Sequence, residues 1–295
     1  MSFTFMSKRK LWYGISLVLL IVGLGSYALQ GLNKGIDFTS GNVLQLQFES
    51  DVTTGQIEEV LDAQGLSGYS IQTAGNASEY IIRTKELTEA QNKELLSAFA
   101  EKYGPLDIKQ NQKIGEVIGR ELTRNAVLAL AIAAVLMIVY ISFRFEATFG
   151  VVAVAALLHD VLVTVGLFSL FQIEIDSAFV AALLTIVGYS INNTIVIFDR
   201  IRENLYLDSK EPLPVIVDNS INQTLVRSIN TSLTVIFALV ALLLLGGDTT
   251  KVFALALLLG TVIGTYSSIC IATSLWYDLK RKLEGRQAFR HAKAR

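Results

Sequence analysis

Apolar residues in this chain collect in runs of about 20, the length that crosses a bilayer as a helix, and one of those runs is not uniformly apolar. Leu183 to Asn204 reads LLTIVGYSINNTIVIFDRIREN, with Gly188, Ser190, Asn192 and Asn193 near its middle and Asp199, Arg200, Arg202 and Glu203 towards its end. Two adjacent amides in hydrocarbon are expensive unless they face protein or water. At about 100° per residue, Thr185, Gly188 and Asn192 share one face of a helix, and Tyr189, Ser190 and Asn193 lie on the neighbouring one. Such a helix has a broad polar side and must bury it against other helices.

Because 52% of the 295 residues are apolar and 17% charged, the runs predict a polytopic membrane protein. The net charge of -1 averages over a strong asymmetry along the chain and says nothing about partners. A lone cysteine, Cys270, lies inside an apolar run, which excludes an internal disulfide and a cysteine-based zinc site. No phosphate-binding loop, dinucleotide fingerprint, metalloprotease motif or nucleophile elbow is present. The chain is therefore not expected to be an enzyme, to hold a cofactor or metal, or to bind nucleic acid. Any energy it uses is expected to come from ion or proton movement.

Residues 1–30 comprise a basic cluster, Ser7 to Lys10, and a first span with Trp12 and Tyr13 as interfacial anchors. The small residues Ser26 and Ala28 allow the competing reading of a cleaved signal peptide, against which the length of the apolar run argues. Residues 31–121 form a water-exposed domain in which acidic residues outnumber basic ones. Val43 to Phe48 alternates as a strand, and Thr54 to Gln64 is helical with Gly65 as its stop. Tyr69 to Thr73 and Tyr80 to Thr84 read as strands, and Leu106 to Ile114 as a last one. Thr88 caps a helix that runs to Tyr103 and closes at Gly104-Pro105. The order βαββαβ predicts a small ferredoxin-like sheet with two helices on one face.

Residues 122–278 carry five more spans. Glu116 to Asn125 is an amphipathic lead-in to Ala126 to Phe143, and Phe149 to Phe171 follows after a short turn. The polar helix is the fourth span. Asp199 to Ser228 reads as a polar loop, helical in places, before Ile229 to Leu245 and Val252 to Tyr277. No proline lies in any span, which predicts regular helices throughout. Residues 279–295 form a basic tail. Six spans put both termini on one side, and the clustering of Lys8, Arg9, Lys10, Arg144, Arg200, Arg202, Lys210, Arg227 and the tail predicts that this side is cytoplasmic. The α+β domain is then extracytoplasmic.

Several residues admit both a structural and a functional reading. His159 and Asp160 are ionisable at mid-span, as an interhelical hydrogen-bonding pair or as part of a proton path or conformational switch. Projecting about 100° apart, they are expected to contact different helices rather than each other. Asn192 and Asn193 cannot carry a proton and serve as interhelical glue or line a wet cavity. Arg227, just before the fifth span, reads as a snorkelling residue, and Asp199 with Arg200 and Arg202 as a membrane-edge anchor. Gly260 and Gly264, continued by Ser268, form a small-residue face for close helix packing.

Five spaced motifs carry a resemblance: GIDFTSG (Gly35 to Gly41), IGRELTRNA (Ile118 to Ala126), LLHDVLVTVGLFSL (Leu157 to Leu170), GYSINNTIVIFDRIREN (Gly188 to Asn204) and RSINTSLT (Arg227 to Thr234). In this order, and over nearly the whole chain, they resemble the SecF members of the SecD/SecF family, within the RND superfamily of transporters. The resemblance implies a six-span subunit, half of an RND-type bundle, that pairs with a SecD-type subunit and uses the proton-motive force to assist export of unfolded preproteins. It implies the SecYEG channel as a partner, with YajC- and YidC-type proteins beside it, in a bacterial cytoplasmic membrane. It marks Gly35, Asp37 and Gly41 as the family motif after the first span. It also gives His159, Asp160, Asn193 and Arg227 a place in proton relay or conformational coupling, beside the polar face of Gly188, Ser190, Asn192 and Asp199.

One departure matters. Many family members have an aspartate where this chain has Asn193, near the arginine corresponding to Arg227. Asn193 cannot titrate, so the SecD-type partner supplies the carboxylate, His159 and Asp160 share the role, or the subunit is mainly structural; the first is favoured. Other functional readings are an RND-type exporter of small molecules or lipids, which predicts a duplicated architecture or a larger outer domain, and a passive assembly scaffold. Membrane lipids are expected partners, with the basic tail as a contact for anionic ones.

Overall fold

The computed structural model describes residues 3–39, 41–74, 78–114, 116–144, 146–207 and 210–293, the side chains of residues 36, 39, 72, 114, 116–118, 138, 142, 144, 248, 249 and those beyond 283 excepted. The chain divides into two compact units, one formed by Met1–Asn33 with Leu128–Arg295 and the other by Lys34–Val127.

In the smaller unit a short helix α2 (Ile36–Thr39) leads into β1 (Gly41–Phe48), followed by α3 (Thr54–Ala63), β2 (Ser70–Thr73), β3 (Glu79–Thr84), α4 (Glu89–Tyr103) and β4 (Leu106–Ile114). The four strands pair in the order β2-β3-β1-β4, antiparallel throughout, which is the ferredoxin-like arrangement. A register shift between Gln45 and Leu46 marks an irregularity where β1 meets β4. Alternation puts Leu44, Leu46 and Phe48 on the face that packs on Ile57 and Leu61 of α3 and Leu95 and Phe99 of α4. The Phe48 ring stands 5.7 Å from Phe99 and 6.0 Å from Tyr103, both edge-on. Both helices begin with reciprocal capping boxes, Thr53 with Gln56 and Thr88 with Gln91. Gly104, at φ +86°, ends α4 in a conformation side chains resist.

In the larger unit α1 (Arg9–Gln30) precedes the domain, and the others follow it: α5 (Glu116–Arg144), whose residues through Val127 belong to the smaller unit, α6 (Ala147–Leu170), α7 (Ser177–Leu207), α8 (Leu213–Leu245) and α9 (Asp248–Tyr266). A π-helical segment (Ser267–Ala272) and α10 (Thr273–Lys293) continue the last of these. Among the described residues six helices are long and apolar enough to cross a membrane. The interior is shared by α6, α7 and the π segment, where buried residues concentrate; α1, α5 and α8 turn broad apolar faces outward. At one end Phe149 stacks on Trp276 at 4.7 Å and meets Phe198 at 4.9 Å.

Two expectations are corrected here. The segment expected to be a polar loop, Asp199 to Ser228, is helical over most of its described length: α7 continues to Leu207, and α8 begins at Leu213 after Pro212, with Pro214 in its first turn. Its polar residues had masked an amphipathic helix whose Ile216, Val217 and Ile221 are buried. Nor is the sixth span regular. The π segment interrupts it without any proline, and side-chain bonding to neighbouring helices accompanies the extra residue in the turn.

Candidate functional site

The polar side of α7 is divided in two. Ser190, Asn193 and Thr194 are buried against this chain's own helices. Thr185, Gly188 and Asn192 are exposed, and a Cβ built on Gly188 would meet nothing within 4 Å. The two adjacent asparagines therefore look in different directions, and the expectation that the whole polar side is covered holds within this chain for one half only.

The buried half centres on Asp160 of α6, which is 0% exposed. Ser190 Oγ of α7 donates to Asp160 Oδ2 at 2.5 Å, and Ser267 Oγ, the first residue of the π segment, donates to the same oxygen at 2.8 Å. His159 Nδ1 stands 2.9 Å from Oδ1. This corrects the expectation that His159 and Asp160 avoid each other. Their Cβ atoms do project about 100° apart, but an imidazole Nδ1 and a carboxylate oxygen each lie only two bonds beyond Cβ and can close around the helix circumference. Asp160 thus meets both its neighbour in sequence and two other elements. Gly264 of α9 leaves room for the cluster, since a Cβ there would stand 3.1 Å from Ser190 Cβ and 3.5 Å from Asp160 Oδ2. One turn away, a Cβ on Gly260 would collide with the Ile186 side chain.

The π segment also aims Ser268 at α7, where its hydroxyl pairs with that of Thr194 at 2.9 Å. A second group gathers on Ser232 of α8: Tyr189 donates to it at 3.1 Å, Thr265 pairs with it at 2.6 Å, and Asn193 Nδ2 lies at 3.5 Å. Asn193 thus meets one hydroxyl, that of Ser232, and neither asparagine lines the apolar groove of about 340 Å³ that opens beside Ser232 and Thr265.

Arg227 joins neither group. It is exposed on α8, and among the described residues no hydrogen bond or ion pair reaches its guanidinium. Gln223, Asn230 and Thr234, spaced four, three and four residues along the helix with Arg227, are exposed on the same stripe. Asp199 pairs with Arg202 at 3.1 Å, and Arg200 Nε bonds Gln223 Oε1 at 2.6 Å. In the other unit Gly35 is buried and Asp37 lies in the first turn of α2. Gly41 adopts φ +137°, where a Cβ would strike the Thr84 carbonyl. Ser40, between them, lies outside the described residues.

The roles of Ser267, Ser232 and Thr265 were not read from the sequence. The signal for Ser267 was its position beside Ser268 in an otherwise apolar run. Ser232 stands in the RSINTSLT motif, but neither it nor Thr265 revealed its partners, because single hydroxyls in spans commonly bond their own helix.

Comparison with known proteins adds the following. Residues 95–282 match the family described as protein export membrane protein SecD/SecF, C-terminal, and residues 28–52 match the SecD/SecF GG motif, which takes in Gly35, Asp37 and Gly41. The chain is 40% identical to the protein translocase subunit SecF of Sebaldella termitidis over 288 residues, covering 95% of this chain and 93% of that one. It is likewise 40% identical to the same-named protein of Acidaminococcus fermentans over 289 residues, covering 96% and 99%. Among solved structures it resembles the crystal structure of SecDF, a translocon-associated membrane protein from Thermus thermophilus, with a TM-score of 0.88 and 37% identity. That match covers 95% of this chain and spans 39% of the solved one.

Proposed function

This chain belongs to the SecD/SecF family of protein export membrane proteins, and we propose that it assists preprotein export through the SecYEG channel by pairing with a SecD-type subunit that supplies an intramembrane carboxylate opposite Arg227. The observation that carries this reading is the uncovered stripe of Gln223, Arg227, Asn230 and Thr234 on α8, beside the uncovered Thr185, Gly188 and Asn192 of α7. At 1.5 Å per residue Arg227 lies about 27 Å from the Leu245 end of α8, and Asn193 about 24 Å from the Ser177 end of α7, within one bilayer thickness. An arginine on a spanning helix carries a cost unless it is paired or snorkels to the boundary. A facing helix with a carboxylate removes that cost, and small residues such as Gly188 let it approach closely.

With Asn193 fixed in a neutral state, the proton-carrying group of this interface lies on the partner. The basic loops and tail face the cytoplasm of a bacterial cell, the α+β domain lies outside the cytoplasmic membrane, and movement of that domain engages the emerging polypeptide. YajC- and YidC-type proteins complete the assembly.

The test is export of a secreted reporter in cells relying on this chain and its native partner. Neutralising the partner's intramembrane aspartate and Arg227→Ala should each abolish the stimulation of export, whereas Asn193→Asp should preserve it. Wild-type export with the neutralised partner refutes the reading.

A further inference from the structure

The groove of about 340 Å³ beside Ser232 and Thr265 lies between α8 and the last span, and its volume falls within the roughly 300–1,000 Å³ usual for ligand sites. Leu225, Ile229 and Ile236 of α8 form one wall, and Val262, Ile269 and Cys270 form the other. The polar groups along it are turned to protein partners. Ser232 and Thr265 pair with each other at 2.6 Å, and the Tyr266 hydroxyl donates to the Trp12 carbonyl at 2.8 Å. What remains to meet an occupant is hydrocarbon. Ile229 and Val262 are 41% and 50% exposed, so the groove opens sideways from two spanning helices, where the surrounding medium is lipid.

Its length matches one leaflet. At 1.5 Å per residue Leu225 stands about 30 Å from the Leu245 end of α8, a full hydrocarbon thickness, and Ile236 about 14 Å from that end, near the midplane. The groove thus runs about 16 Å, from one boundary of the hydrocarbon to its middle, as an acyl chain of that leaflet does.

The boundary end carries the amino-terminal turn. Phe5 lines the groove there, fixed by Asp218 Oδ1, which accepts its N–H, and by Trp12 Nε1, which donates to its carbonyl at 3.3 Å. The same turn presents Ser7 and Lys8, with Lys10 just beyond, all exposed. Arg9 is engaged with Asp278, and Asp218 with the N–H groups of Phe5 and Met6, whereas neither lysine is in an ion pair among the described residues. The mouth of the groove is therefore positive, and each such lysine strengthens attraction to an anionic headgroup about fivefold. This face is also distinct from the one proposed above for a SecD-type subunit. Arg227 and Ile229 lie two residues apart on α8, about 200° around the helix, so a subunit on the Arg227 stripe docks on the opposite side from the groove.

We propose that the groove is a lipid site: it holds one acyl chain of an anionic phospholipid from the leaflet on the amino-terminal side, with the phosphate at Lys8 and Lys10 and the chain end at Ile236 and Val262. The lipid then bridges α8, the last span and the amino-terminal turn, and the headgroup composition of the membrane governs how firmly Phe5 and Met6 stay docked on Asp218.

The test uses the full-length chain, purified with its native partner, in phosphatidylcholine nanodiscs containing phosphatidylglycerol with a photoactivatable diazirine near the end of one acyl chain. Adducts are mapped by peptide mass spectrometry. They are expected at Ile236 and Val262 about fivefold or more above Val18 of α1 and Val135 of α5, which are 60% and 58% exposed. The same probe with a choline headgroup should label the groove about fivefold less, and the combined change Lys8→Gln and Lys10→Gln should erase the difference between headgroups. Ile229→Trp, which fills the groove, should remove its adducts and leave those at Val18 and Val135. Uniform labelling of groove and controls identifies ordinary boundary lipid and overturns the site, as does equal labelling by both headgroups in the unaltered chain. Adducts that appear only when the partner is absent, or that fade as the protein-to-lipid ratio rises, assign the groove to a protein occupant and overturn it as well. The headgroup comparison needs no substitution, so it decides the matter even where a variant fails to fold.

Discussion

Gly23 of α1 and Gly166 of α6 meet backbone to backbone: a Cβ built on Gly23 would stand 2.9 Å from the Gly166 Cα, and one built on Gly166 would stand 2.6 Å from the Gly23 Cα. Neither residue can grow without pushing the helices apart, and the nearby pairing of Ser26 Oγ with Ser169 Oγ at 3.0 Å depends on the same approach. Gly166→Val is expected to destabilise the chain by about 1–3 kcal/mol, the usual cost of overpacking. Unfolding in a denaturing detergent titration measures it. Gly25→Val serves as the control, since a Cβ there meets nothing within 4 Å; equal losses for both would show that the helix contact is not responsible.

Ser190 and Ser267 approach one carboxylate oxygen from two different elements, so their contributions are expected to be coupled. Each single change to alanine should lower stability by about 1.5–3 kcal/mol, the range for a hydrogen bond to a charged group. The double change should depart from the sum, because both serines share Asp160. Strict additivity in the same detergent titration would indicate that the two hydroxyls act independently.

The amino-terminal segment is tied down by α8. Asp218 Oδ1 accepts from the backbone N–H groups of Phe5 at 2.8 Å and Met6 at 2.9 Å, and Asn222 exchanges two bonds with Phe3. Asp218→Ala removes the acceptor that caps the short 3₁₀ turn Met6–Lys8 and buries Met6. Hydrogen exchange at Phe5 and Met6 should accelerate by about tenfold or more, matching the loss of about 1.5–3 kcal/mol for bonds to a charged acceptor. Asp218→Asn, which keeps an oxygen, should restore part of the protection.

In the α+β domain the Tyr69 hydroxyl donates to Asp62 Oδ1 at 2.7 Å, and this bond, aided by some desolvation and by the charges of Asp62 and Glu58, pushes the phenol up to about 12. The protonated form is the one that bonds. Its contribution is therefore complete below the unfolded value of about 10 and is lost as pH rises through about 12. Following the Tyr69 ring signal by NMR in alkaline solution checks this, and Asp62→Asn should bring its ionisation back towards about 10. An unchanged midpoint in that variant would assign the shift to another cause.

Gly41 couples two constraints at one residue, a φ of +137° and contact with the Thr84 carbonyl across the β1 and β3 pair. Gly41→Ala should cost more than about 1 kcal/mol, since strain in this region adds to the collision. Thermal unfolding read in the strand signals tests it, with Gly55→Ala, in open space on α3, as the neutral or mildly stabilising comparison.

Local chemistry by itself determined much of this protein. Alternation in VLQLQF, the Thr88 cap, the Gly104-Pro105 stop and the long apolar runs each follow from backbone geometry or from hydrogen-bond demand in lipid, and they gave the βαββαβ order and the number of spans. The limits of α8 were lost because polar residues on an amphipathic helix look like a loop until Ile216, Val217 and Ile221 are seen to be buried. The tertiary structure alone decided which half of the α7 polar side is covered, that Asp160 binds His159 as well as two serines, and that the sixth span carries a π segment. Periodicity says which residues share a face, whereas the partner of a face depends on contacts between residues 30 to 107 positions apart, as from Asp160 to Ser190 and Ser267, which only packing can bring together.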